Sequence, residues 1–163
     1  NLVLTAFPEN APEGWLKVNL PVKPNGSTGW IKTSDDIELS STPYRVEVDK
    51  EKFSLKVFYG TDVVVDTTVA IGKGAAETPT GVFYFIELIE STDPAYGPFA
   101  FGLSAFSEDL SSFSGVEAII GIHGTDEPES LGENVSSGCV RVDNDVITNM
   151  RKNLPLGTPV YIV

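Results

Sequence analysis

Ala118-Ile119-Ile120-Gly121-Ile122-His123-Gly124-Thr125 and, after a polar spacer, Ser136-Ser137-Gly138-Cys139-Val140-Arg141-Val142-Asp143 are the two segments that organise the reading of the chain. Each carries a strand-like apolar run. With a loop over 126–135 between them, two adjacent strands bring the end of the first against the start of the second. His123 closes the first run and Cys139 opens the second, and they are the only histidine and the only cysteine in 163 residues. A thiol is a strong nucleophile only as thiolate, and an imidazole within hydrogen-bond reach is the common means of generating it near neutral pH.

The neighbouring residues fit that chemistry. Gly138 lets the backbone approach a substrate carbonyl closely, and the consecutive amides of Ser137, Gly138 and Cys139 are candidate donors to a developing oxyanion. Arg141, two residues beyond Cys139 and so on the same strand face, favours thiolate and can grip a carboxylate with both arms of its fork. The plainer reading stands beside this: a lone cysteine usually behaves as an inert small hydrophobe and a lone histidine as a satisfied structural residue. A structural zinc site is disfavoured, because it wants four Cys/His ligands and only two such residues exist.

The pattern Ile122-His123-Gly124-Thr125, Gly132, Ser136-Ser137-Gly138-Cys139-Val140-Arg141 resembles the active-site signature of the L,D-transpeptidases, bacterial cell-wall enzymes whose motif runs H-G-T, a spacer, and S-x-G-C-x-R. An upstream stretch, Ile71-Gly72-Lys73-Gly74 through Thr78-Pro79-Thr80-Gly81-Val82-Phe83, resembles the family's T-P-x-G-x-F region, and the likeness covers about residues 44–163. The resemblance implies that Cys139 attacks the carbonyl of the third residue of a peptidoglycan stem tetrapeptide, expels the terminal D-alanine, and passes the acyl group from a thioester to an amine of a second stem. It implies His123 as general acid and base, oriented by the backbone carbonyl of Gly124, with Arg141, Ser136, Tyr96 and Phe99 as candidate substrate contacts. No cofactor and no metal are implied. An L,D-carboxypeptidase, with water as the acceptor, and a catalytically silent wall-binding module are the alternatives.

Composition narrows the partners. Against 11 basic residues stand 23 acidic ones, a net charge of −12, which opposes direct contact with nucleic acid or an anionic membrane surface. No run reaches the ~20 apolar residues of a membrane span. The chain opens on Asn1, which reads as a processed or trimmed product without its targeting segment, and the family resemblance implies an extracytoplasmic location, in the cell envelope or secreted. One cysteine permits no internal disulfide, and an odd thiol in an exported protein reads as reactive. The oligomeric state is left open.

Residues 1–42 are rich in Pro, Asn, Gly, Ser and Thr, with two short strand-like pieces around Trp15 and Trp30; they read as a small β-rich arm that packs its tryptophans on the main domain, or as an SH3-like remnant. From Tyr44 the period-two alternation predicts a hairpin over 44–59, a third β-rich run over 63–71, and a glycine-containing loop over 72–81. That loop lacks the Gly-Lys-Ser/Thr and following helix of a phosphate site. A strand follows over 82–89, then a Pro/Gly/aromatic loop over 92–102, either packed surface or, as the resemblance implies, a lid or wall of the substrate groove with Tyr96 and Phe99, and an irregular stretch over 103–115. Asp143 or Asn144 caps a helix carrying Val146, Ile147 and Met150, and a last strand closes the chain. The expected architecture is mainly β, two packed sheets with at least one helix after the active-site strand, in a catalytic domain spanning 43–163. Local stabilisation by His123, Arg141 and the helix start is expected to hold the thiol pKa below its free value, against the screened field of the acidic surface.

Overall fold

Alternation with a period of two turns every second side chain of a strand to one face, and from Tyr44 onward the apolar face is the buried one. The computed structural model describes residues 2–7, 11–34, 36–107 and 118–163. Three short strands, β1 (Ala6–Phe7), β2 (Trp15–Asn19) and β3 (Thr28–Lys32), make an antiparallel sheet of their own. The main domain follows with β4 (Tyr44–Asp49), β5 (Ser54–Tyr59), β6 (Asp62–Thr68), β7 (Ile71–Gly72), β8 (Gly81–Glu90), β9 (Phe99–Phe106), β10 (Ile119–His123), β11 (Asn134–Ser136), β12 (Val140–Arg141), helix α1 (Asn144–Asn153) and β13 (Pro159–Ile162).

Eight of these strands form one sheet in the order β12-β10-β9-β8-β13-β4-β5-β6, while β11 and β7 pair separately. The last strand in sequence lies inside the sheet, parallel to β4 and antiparallel to β8. At the two ends of the order the edges meet: just beyond β6, the Ala70 amide donates to the Arg141 carbonyl at 3.0 Å and the Arg141 amide donates to Ala70 at 2.8 Å. A sheet whose edges touch must curl. Its two halves therefore face each other as the expected packed layers, and Val46, Val48, Leu55 and Val57 share one buried cluster with Phe101, Leu103, Ile120, Ile122 and Val140. Each such side chain contributes about 1.5–3 kcal/mol on leaving water.

Helix α1 arises where it is expected. Asp143 caps it, its carboxylate accepting from the Asp145 amide at 2.7 Å, and Ile147 and Met150 turn inward. Leu154 then leaves the helix before Pro155, a residue that disfavours helical geometry in its predecessor.

Two expectations fail between residues 92 and 106. The aromatic loop ends at Pro98, because Phe99 to Gly102 already belong to β9, and Leu103 to Phe106, expected to be irregular, are the buried second half of that strand. Small residues conceal it: Gly102 stands where the Glu87 side chain fills the space a Cβ would need, 2.6 Å from Glu87 Cγ, at a register shift between β8 and β9. The remainder of the stretch expected to be irregular, 108–115, lies outside the described residues.

The arm is held by polar contacts rather than by its tryptophans. The Asn25 side chain acts as a strand partner to Phe106, donating to its carbonyl at 2.8 Å and accepting from its amide at 2.9 Å. Thr5 donates to the Gly157 carbonyl at 2.8 Å, and the fully buried Tyr84 hydroxyl reaches the Asn19 carbonyl at 3.1 Å. Trp15 and Trp30 remain 42% and 48% exposed on one face of the β2–β3 ladder, contrary to the expected packing; Val18, on the opposite face, is the residue that is buried.

Candidate active site

Strands β10 and β12 are parallel neighbours, with Ile122 opposite Val140 and His123 opposite Arg141. Cys139 enters β12 at the level of Gly121, whose amide points at Sγ from 3.4 Å. The imidazole of His123 is 5% exposed and its Nδ1 lies 2.6 Å from the Gly124 carbonyl oxygen. A carbonyl only accepts, so Nδ1 carries the hydrogen and the neutral ring keeps its lone pair on Nε2, the state required of a base. The Tyr96 ring lies against the imidazole, centroids 4.6 Å apart and planes inclined at 44°.

Gly124 has a second duty that the sequence did not disclose. Asn144, the first residue of α1, accepts from the Thr125 amide at 2.9 Å, and its Oδ1 lies 2.2 Å from where a Cβ would stand on either Gly124 or Gly97. Only glycine at both positions lets the Tyr96 turn, the His123 strand end and the helix start converge. Asn144 and Gly97 are thus site residues that no local pattern marks.

The turn before Cys139 is braced from inside. Buried Ser136 donates through Oγ to the Cys139 carbonyl at 2.5 Å and accepts from the Gly138 amide at 3.1 Å. Thr78, also buried, donates to the Gly138 carbonyl at 2.8 Å and accepts from the Gly72 amide at 2.9 Å, which ties the upstream Thr-Pro stretch to the nucleophile turn. Gly138 has φ of +115° and a Cβ there would lie 2.8 Å from Ile120 Cδ1, so no side chain fits. These bonds bear on two expected roles. The Ser136 hydroxyl is engaged within the turn and so is the Gly138 amide, which leaves the amides of Ser137 and Cys139 without a hydrogen bond among the described residues. Phe99 packs against the core with the Arg151 guanidinium 5.2 Å from its ring centre, and serves the site through its carbonyl, which accepts from the Gly124 amide at 3.3 Å.

Arg141 lies beside the pair, and Nη1 donates to Glu127 Oε2 at 2.7 Å. Its charge is felt at Cys139, His123 and Tyr96. Yet the thiol pKa is pushed up, because burial outweighs the Gly121 amide and Arg141, both of which lower it. Burial likewise pushes His123 down; the Gly124 carbonyl opposes this and Arg141 adds to it. The expectation of a thiol held below its free value is overturned: at a few ångströms the loss of water matters more than one nearby cation. Both shifts favour the uncharged forms, a thiol and an imidazole, and the two groups stand where β12 begins and β10 ends.

The curled sheet has counterparts among solved structures. An L,D-transpeptidase of Enterococcus faecium shares the fold with a TM-score of 0.59 at 21% identity, over 74% of this chain and 50% of that one. Bd1075 of Bdellovibrio bacteriovorus matches with a TM-score of 0.59 at 28% identity, over 75% of this chain and 48% of that one. The class is that of L,D-transpeptidase catalytic domains. The YkuD family model, described as the L,D-transpeptidase catalytic domain, matches residues 43–162, and this chain belongs to that family. YkuD of Bacillus subtilis is 31% identical over 120 residues, 74% of this chain and 66% of YkuD, so the match spans just under two thirds of that relative's length.

Proposed function

We propose that this chain cross-links peptidoglycan by cysteine acyl transfer between stem peptides. The observation that carries the reading is His123, in the family's catalytic domain, with Nδ1 committed to the Gly124 carbonyl and Nε2 left as the base on the strand beside Cys139. Cys139 Sγ attacks the carbonyl carbon of the third residue of a tetrapeptide stem while its proton passes to Nε2. The oxyanion is received by the free amides of Ser137 and Cys139. As the C–N bond to the terminal D-alanine breaks, Nε2 returns the proton to the departing amine and a thioester remains.

An amine of a second stem then attacks the thioester, giving its proton to His123, and the thiolate leaves and recovers a proton from the imidazolium. Acyl transfer between amides conserves the energy of the broken bond in the thioester and needs no external energy source. Tyr96, its ring tilted against the His123 imidazole, shields the thioester from water. Arg141 positions the acyl donor. The substrate is part of the cell wall, so the site of action is extracytoplasmic.

The test is the mass of adduct and products formed from a defined tetrapeptide with and without an acceptor amine. A thioester adduct at Cys139 and a cross-linked product that appears only with the amine are expected. Tripeptide alone in both reactions would make the chain a carboxypeptidase. Absence of any adduct would reduce it to a wall-binding module.

A further inference from the structure

Arg141 is incompletely used. One arm, Nη1, holds Glu127, while Nε is sealed from solvent without an acceptor among the described residues. The end-on edge of the guanidinium offers two parallel N–H groups, on Nη1 and Nη2, where Glu127 takes one bond at Nη1. Glu127 is itself 59% exposed, against 20% for Arg141, and sits at the start of the short turn Pro128–Ser130 with its amide bound to the Thr125 hydroxyl at 3.0 Å. An ion pair with one partner this exposed is weak and readily exchanged. Arg141 is also opposite His123 across the parallel ladder and two residues from Cys139, so an anion on its fork would lie beside the reacting atoms.

We propose that Glu127 is a resident placeholder on Arg141, displaced by a carboxylate of the incoming acyl donor and returning when that carboxylate departs. This rests on the reading that Arg141 positions the acyl donor. The exchange turns a one-armed contact at Nη1 into a two-armed one across Nη1 and Nη2. Since the departing D-alanine carries its carboxylate away with it, the return of Glu127 opposes rebinding of the product. Glu127 therefore sets how strongly the site favours free-acid donors over neutral ones.

The inference can be read without a peptide. Iodoacetate and iodoacetamide alkylate the same thiol and differ in a carboxylate, so the ratio of their rates at Cys139 reports the anion site. At about 0.15 M salt, where distant charges are screened, Glu127→Gln is expected to raise the iodoacetate-to-iodoacetamide ratio by about tenfold, the effect of one charge-assisted hydrogen bond. Glu129→Gln, on the same exposed turn, is expected to change it by less than about twofold. Arg141→Met is expected to lower the ratio and to abolish the gain in the double variant. With tetrapeptides, Glu127→Gln is expected to lower KM for the free acid and leave the C-terminal amide unchanged. A flat ratio in Glu127→Gln, an equal gain in Glu129→Gln, or a gain that survives Arg141→Met would overturn the proposal. Alkylation ratios as expected in a protein that turns over no tetrapeptide would uphold the placeholder and remove the proposed function. Cross-linking activity with flat ratios would do the reverse.

Discussion

Thr78 and Gly138, 60 residues apart, are joined by a 2.8 Å hydrogen bond from the threonine hydroxyl to the glycine carbonyl, and the same hydroxyl accepts from the Gly72 amide at 2.9 Å. One buried oxygen thus spans from the end of β7 to the turn that presents Cys139. Valine has nearly the same shape and neither function. Thr78→Val leaves two buried backbone groups unpaired and is expected to cost about 1–3 kcal/mol of stability, with a larger proportional loss of Cys139 acylation than of folded protein. Chemical denaturation and acylation rates measured side by side check this; parent-like acylation in a destabilised variant would show that the turn holds without the brace.

Cys139 is half-buried at the end of a turn and is not part of the hydrophobic cluster. Cys139→Ala and Cys139→Ser are therefore expected to stay within about 1 kcal/mol of the parent in stability, as substitutions outside the core usually do, and to lose all acyl transfer. Residual turnover in the alanine variant would remove Cys139 from the role of nucleophile.

The acid limb of activity depends on His123. Its pKa is lowered by burial, so the imidazole stays neutral and competent below the pH at which an ordinary histidine protonates. Cys139 acylation is expected to persist into mildly acidic solution, then fall as His123 protonates. The thiol is displaced upward, so preformed thiolate adds little near neutrality. In His123→Ala the rate is expected to be much lower and to rise with pH as the thiol ionises. The same shift acts on stability: the unfolded histidine binds its proton first, so stability is full above the unfolded pKa and declines as pH falls through it toward the folded value. Denaturation midpoints through that window are expected to slope more steeply in the parent than in His123→Ala. Superimposed acylation profiles for the two proteins would rule out His123 as the base.

The arm has its own test. The Tyr84 hydroxyl, whose pKa burial pushes up to about 12, links the core to the Asn19 carbonyl. Tyr84→Phe is expected to cost about 1 kcal/mol and to speed amide exchange in β2 and β3 more than in β8. Uniform acceleration across the chain would show that the arm and the main domain open as one unit.

Much was legible in one dimension because it rests on short-range rules. Alternation from Tyr44 marked β4 and β5, aromatic and β-branched composition marked β8, Asp143 marked the start of α1, and the apolar runs before and after the polar spacer marked the strands that His123 ends and Cys139 precedes, since these depend on a residue and its near neighbours. Only the tertiary structure determined the rest. Curling of the sheet brought Ala70 onto Arg141, Glu127 onto the same guanidinium, Thr78 beneath Gly138, and Asn144 between Gly97 and Gly124. It also reversed the expected thiol pKa, because proton affinity follows how much water the fold removes, and burial is a property of the assembled layers that no local pattern encodes.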